Sequence, residues 1–174
     1  MNQSRENQTE KSEHFSLGVF ESATQKNKEV AFILDNVVDW SVLKDSIPEH
    51  VDVFVLNSSL DGLEQILSYL EIMPEKVLDA IHVLGHGSQA NLNLGAITLN
   101  RENLSYYADV LEKIGHFLSE DGDFLLYGCN VAQGEAGRAF VEDIARITRA
   151  DVAASNDVTG STNWGGNWVL EDIT

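Results

Sequence analysis

The sequence predicts an α/β fold: a three-layer sandwich with a mainly parallel sheet held between helices. Three observations predict it. Short apolar runs recur from Val30 to Ser155, stretches with helical apolar spacing separate them, and each run ends at a polar residue or glycine. Strands that alternate with helices along a chain pair in parallel and carry helices on both faces. Apolar runs that are continuous rather than alternating suit strands buried on both sides.

The elements follow in order. Val30–Leu34 (VAFIL) is the first strand, stopped by Asp35-Asn36. Trp40, Leu43 and Ile47 recur at helical spacing until Pro48 ends that helix. Val51–Leu56 is the second strand, with Asn57-Ser58-Ser59 as its polar exit, and Leu63, Ile66, Leu67 and Leu70 form one face of the second helix before Pro74. Leu78–Leu84 is the third strand and runs into Gly85-His86-Gly87-Ser88. Leu92 and Leu94, then Ile97 and Leu99, alternate about Gly95-Ala96 as a small hairpin. Asn100 can cap a long third helix with the stripe Leu104, Tyr107, Leu111, Ile114 and Leu118. Asp123–Tyr127 is the fourth strand, Gly134–Arg149 the fourth helix and Asp151–Ser155 the fifth strand; two Trp-bearing segments about Gly165-Gly166 close the chain.

Composition excludes several function classes. The 174 residues include 28 acidic and 11 basic ones, a formal charge of −17. Phosphate backbones and anionic membranes both need clustered Lys and Arg, so neither nucleic acid nor a lipid surface is an expected partner. With 43 % hydrophobic residues the chain has enough for one core and too little for two comfortable domains. No apolar run approaches the ~20 residues of a membrane span. Residues 1–28 are rich in Asn, Gln, Ser, Glu and Lys and read as a mostly disordered arm, relieved only by the patch Phe15–Phe20, which leaves 29–174 as the domain. MNQSRENQTEKSEH is not a Sec-type signal, so the protein is expected to be cytosolic or exported by a route that reads another signal.

In sheets of this kind chemistry gathers at the carboxyl ends of strands, near a switch in strand order. Asp35, Asn57, His86, Cys129 and Ser155 all stand at such ends. Cys129 is the single cysteine, so it forms no internal disulfide. Free cysteines are often just small buried residues. This one lies in a Gly-Cys-Asn turn shortly before a helix, whose dipole would favour the thiolate. His86 ends the preceding strand, so it can share a crevice with Cys129 and serve as its base. The N–H groups of Gly87 and Cys129 can supply an oxyanion hole.

Other constellations are weaker. His82 with His86 and Cys129 could be imagined as a zinc set, but no Cys-x-x-Cys spacing accompanies them, and His82 suits a hydrogen-bonded core position. His14, His50 and His116 receive no role. No Gly-x-Gly-x-x-Gly or Walker loop follows the first strand, and Gly160–Asn167 reads as a turn. Trp164 and Trp168 could stack on a sugar, line a pocket or cap the edge of the core. No cofactor and no metal are expected.

AIHVLGHGS, then NLNLGAITLN, then DFLLYGCNVA resembles the element order of the caspase-like (clan CD) cysteine peptidases: a strand ending in His-Gly, a hairpin, a helix and a strand ending in Cys. FILDN looks like the first strand of that fold. More closely, FILDN, DGLEQI, DAIHVLGHGS, LLYGCNVAQGEAG, DVAASND and GGNWVLE resemble a domain near the N-terminus of very large bacterial surface and secreted proteins with adhesin-like repeats. The resemblance implies a caspase-like fold and a His86/Cys129 dyad cutting peptide bonds, by analogy within the chain's own polypeptide. It also puts Asp35, Ser155, Asn156 and Asp157 where such peptidases build the pocket for the residue preceding the cut, which would suit Arg or Lys. Tyr127-Gly128 stands where caspases carry Gln-Ala, and no caspase-type specificity arginine can be placed.

The leading expectation is therefore a cysteine endopeptidase domain that autoprocesses a large exported protein. It would act as a monomer on a polypeptide substrate, reach the cell surface or medium, and stay latent until its loops are ordered. The rivals are a catalytically idle caspase-like interaction or retention module of a surface adhesin, and a small-molecule binder using the same crevice.

Overall fold

A computed structural model describes residues 28–162 and 165–174. The arm read over 1–28 lies outside them except for Lys28, as do Phe15–Phe20, His14 and Trp164. Lys28 exchanges hydrogen bonds with Asp79, its N–H reaching Oδ2 at 2.9 Å and its carbonyl accepting the Asp79 N–H at 2.8 Å.

The elements are β1 (Glu29–Leu34), α1 (Trp40–Ser46), β2 (Val51–Leu56), α2 (Gly62–Leu70), β3 (Leu78–Leu84), β4 (His86–Ser88), β5 (Asn91–Leu94), β6 (Ile97–Asn100), α3 (Ala108–Gly115), β7 (Leu118–Tyr127), α4 (Gly134–Thr148), β8 (Asp151–Ala154) and β9 (Asp172–Ile173). The main sheet runs β2-β1-β3-β7-β8-β9, parallel throughout except for β9, which pairs antiparallel with β8. Among the described residues no helix is long and apolar enough to cross a membrane.

Alternation along each strand splits the core in two. Val30, Phe32 and Leu34 of β1 point to the side where α2, α3 and α4 pack, while Ala31 and Ile33 point to the other, covered by Trp40 and Leu43 of α1 and Ile47 just after it. The α/β sandwich expected from the sequence is present, with its helices divided unevenly between the faces. Asp61 caps α2, its Oδ1 accepting from the N–H of Leu63 at 2.9 Å and of Glu64 at 3.2 Å.

The third helix is where the sequence reading fails. The long helix expected from Asn100 to Leu118 is only Ala108–Gly115. Asn100 Oδ1 accepts from the N–H of Glu102 and Asn103, which closes a local turn instead of launching a helix. Leu104 and Tyr107 reach the core from turns, and Leu118 already belongs to β7, opposite Leu78. A bulge then shifts the register, so that Ala80 faces Asp123 and the expected fourth strand resumes.

The hairpin is also larger than expected. His86–Ser88 pairs antiparallel with β5, giving a three-stranded sheet β4-β5-β6 whose Leu92, Leu94 and Leu99 are buried in the main core. The strand β9 had no counterpart in the sequence reading.

Candidate active site

The chain leaves β1 for β2 on one side and returns to β3 on the other, so the order of strands switches between β1 and β3. A crevice forms at the carboxyl ends of strands on either side of such a switch. His86 reaches it at the start of β4, with only Gly85 between it and the end of β3. The neighbour of β3, β7, delivers Cys129, because Leu84 and Tyr127 are partners in register and each stands two residues before the site residue. The Gly85 N–H donates to the Tyr127 carbonyl at 3.0 Å and carries the pairing one step further.

Beyond that point the two turns touch through glycine. A Cβ on Gly87 would lie 2.6 Å from Val131 Cγ2, 2.9 Å from the Cys129 carbonyl oxygen and 2.9 Å from the Gly128 carbonyl carbon. A Cβ on Gly128 would lie 3.2 Å from Leu92 Cδ1 and 3.4 Å from the Gly87 Cα. His86 and Cys129 both line one cavity of about 620 Å³.

His86 is exposed and Cys129 partly buried. His86 Nε2 lies 3.3 Å from the Asn36 carbonyl oxygen. A carbonyl only accepts, so Nε2–H donates in that contact, and in the neutral ring this tautomer puts the lone pair on Nδ1. The Cys129 thiol donates to the Thr159 carbonyl at 3.6 Å. The turn Asn130–Gln133, with Asn130 in a left-handed conformation at φ 60°, separates Cys129 from the start of α4.

Gly87 and Cys129 each carry a backbone N–H nearby. Ser88 and Asn91 flank a two-residue hairpin loop with Gly87 opposite Leu92, and if the Ser88–Asn91 pair is the hydrogen-bonded one that closes such loops, the Gly87 N–H is turned away from β5. The Cys129 N–H has no hydrogen-bond acceptor among the described residues.

The residues expected to form an acidic substrate pocket lie elsewhere. None of Asp35, Ser155, Asn156 and Asp157 lines this cavity. Asp35 accepts the Ser58 N–H at 3.0 Å, and the Ser58 hydroxyl and N–H hold its carboxyl below the usual carboxylate range. Ser155 is buried and its Oγ donates to Asp157 Oδ1 at 3.1 Å. Asp157 also accepts from Asn167 Nδ2 at 2.9 Å and, through its carbonyl, from the Asn130 N–H at 2.7 Å. Asn156 donates from Nδ2 to Asp172 at 2.9 Å and from its N–H to Glu171 at 3.0 Å. Ser155, Asn156 and Asp157 thus tie the closing loop and β9 to the sheet, while Asp35 holds the turn after β2.

Other elements wall the cavity instead. Leu84 and Tyr127 form its floor, Val38, Asp39 and Val42 its rim on the β1–α1 side, and Val158, Thr159 and Trp168 the opposite wall. Trp168 packs on Tyr127 with ring centroids 6.2 Å apart, and Tyr127 stacks on His82 at 5.9 Å. His82 is mostly buried and pairs with Glu29, Nε2 to Oε2 at 3.0 Å, in keeping with the core role read from its position. Burial, with the charge of Glu29 adding, pushes the Tyr127 phenol up, so it faces the cavity neutral. Sequence reasoning missed Asn36, Asp39 and the Val37–Val42 rim. The available signal was the pair Val38 and Val42, in the connection after β1 and in α1, which are apolar yet outside the Trp40, Leu43, Ile47 spacing and remain exposed.

A family model described as "Domain of unknown function (DUF4347)" matches residues 30–174. No curated protein matches the chain. Among solved structures, one described as a small-chain dehydrogenase is 15 % identical, covering 70 % of this chain and 77 % of that one with a TM-score of 0.38. Caspase-1 from Spodoptera frugiperda is also 15 % identical, covering 78 % of this chain and 63 % of that one with a TM-score of 0.36. The aligned part is thus just under two thirds of that caspase.

Proposed function

The chain belongs to the DUF4347 family, and from its site we propose that it is a cysteine endopeptidase domain using His86 and Cys129. One observation carries the reading: the two side chains open into one cavity from turns pressed together at Gly87 and Gly128.

The reaction follows from the groups at hand. His86 Nδ1 takes the thiol proton while Nε2–H stays on the Asn36 carbonyl, and Cys129 Sγ adds to the scissile carbonyl carbon. The N–H groups of Gly87 and Cys129 hold the resulting oxyanion. His86 gives its proton to the departing amine, leaving a thioester. Water then attacks the thioester with His86 as base, releasing the carboxylic acid and restoring the thiol.

The sequence resemblance supports the chain's own polypeptide, within a larger exported surface protein, as substrate. An idle interaction module is the second reading, and the contact to Thr159 favours it, since the Cys129 thiol donates to a backbone carbonyl rather than to His86. Second-order alkylation of Cys129 by iodoacetamide and by peptidyl ketones decides between them. A dyad makes the wild type react at least about tenfold faster than a folded His86→Ala variant. Equal rates in the two proteins would refute the peptidase reading.

A further inference from the structure

We propose that the cavity beside Cys129 receives a large apolar side chain, of the leucine or phenylalanine kind, from the residue preceding the scissile bond. This rests on the peptidase reading and names its substrate class. The walls are the argument. Val38, Val42, Val158 and Trp168 are 78 %, 64 %, 43 % and 45 % exposed, and all four face this one cavity. Large apolar side chains left in water around a concave site are unusual on a folded domain and mark a surface that something covers.

Position gives the occupant its identity. Leu84 and Tyr127 form the floor, each two residues before the proposed base and nucleophile on adjacent strands. A side chain resting on that floor belongs to a peptide whose carbonyl lies against Cys129. The volume of about 620 Å³ falls within the ~300–1,000 Å³ of ordinary ligand sites, room for a large side chain with some flanking backbone.

Charge weighs against the alternatives. Apart from His86, the cavity lining includes one ionisable side chain of full charge, Asp39, which is exposed at the rim. A guanidinium or ammonium would lose water against valine and tryptophan and meet only the exposed, solvent-screened carboxylate of Asp39, because Asp35 and Asp157 hold other groups. An aspartate would enter the same walls and face Asp39 on a chain of net charge −17.

Peptidyl acyloxymethyl ketones differing only in the residue beside the ketone (Leu, Phe, Ala, Arg or Asp) test this. The readout is the labelling rate of Cys129 in the full chain, by intact mass. The Leu or Phe probe is expected to react at least about tenfold faster than the Ala, Arg and Asp probes. Val42→Asp, which puts a carboxylate into the rim, should shrink the Leu-to-Arg ratio about tenfold. A preference for Arg or Asp, or rates indifferent to the residue, would overturn the proposal while His86-dependent labelling kept the peptidase reading intact. Labelling that does not depend on His86 for any probe would remove both.

Discussion

Gly87→Ala tests how much of the site depends on backbone contact. The new Cβ would stand 2.6 Å from Val131 Cγ2 and 2.9 Å from the carbonyl groups of Gly128 and Cys129. Those distances fall about 0.6–0.9 Å short of the ~3.5 Å at which carbon atoms begin to attract one another. Two of the three obstacles are backbone, which cannot rotate away as a side-chain tip can. The β4 turn and the Cys129 turn must therefore separate by roughly half an ångström or more, at a cost of about 1–3 kcal/mol, typical of overpacking. A displacement of that order at a nucleophile costs up to about 100-fold in rate. Urea denaturation measures the first quantity, and Cys129 labelling by the Leu ketone measures the second. Gly122→Ala is the control. Its Cβ would meet the Leu78 carbonyl oxygen at 2.7 Å, a similar clash at the opposite end of the sheet, so it should lower stability and leave labelling within about twofold. If Gly87→Ala labels Cys129 as fast as Gly122→Ala does, the two turns are not coupled as argued.

Two further outcomes follow from charges and hydrogen bonds. Asp157→Ala removes the acceptor of Ser155 Oγ and Asn167 Nδ2, so it should lower stability by about 1–3 kcal/mol, read by urea denaturation, and leave the order of preference among the ketone probes unchanged; a swing away from Arg would restore the acidic-pocket reading. Burial and then the charge of Asp151, its partner in register, raise the carboxyl of Asp123, with His82 opposing. A carboxyl raised by folding binds its proton more tightly in the native state, so its contribution favours folding below the unfolded pKa and is lost as pH rises through the folded value. Asp123→Asn should therefore raise Tm at pH 7 by on the order of 2 °C and give no gain near pH 3, as a calorimetric pH series would report.

Most of the sheet is legible in the sequence because strands packed under helices carry short apolar runs bounded by polar residues, glycine or proline. Val51–Leu56 and Leu78–Leu84 occur with the boundaries their apolar runs suggest, and α2 lies between Asp61 and Leu70 on the expected face. Leu104 to Leu118 shows the limit of such reading. Spacing of 3 and 4 reports only that those residues reach the core, and turns, a short helix and the start of a strand bring them there as well as one long helix would. β9 is too short to carry a pattern, and pairing with β8 makes it a strand.

The same division runs through the site. His86 and Cys129 can be found from the chain alone, because each ends an apolar run and consecutive parallel strands lie side by side. The acidic residues next to other strand ends carry the same positional signal, yet Asp35 and Asp157 turn to Ser58 and to Ser155 and Asn167, a choice made by partners distant in sequence or by the path of a loop. The cavity walls are decided wholly in three dimensions. Val38 and Val42 come from the connection after β1 and from α1, Val158 and Trp168 from the closing loop, and they meet over Tyr127. Local sequence sets which residues must be buried or capped, since those forces act between near neighbours. Which side chains converge on a substrate is set by strand order and crossing, which only the folded chain brings about.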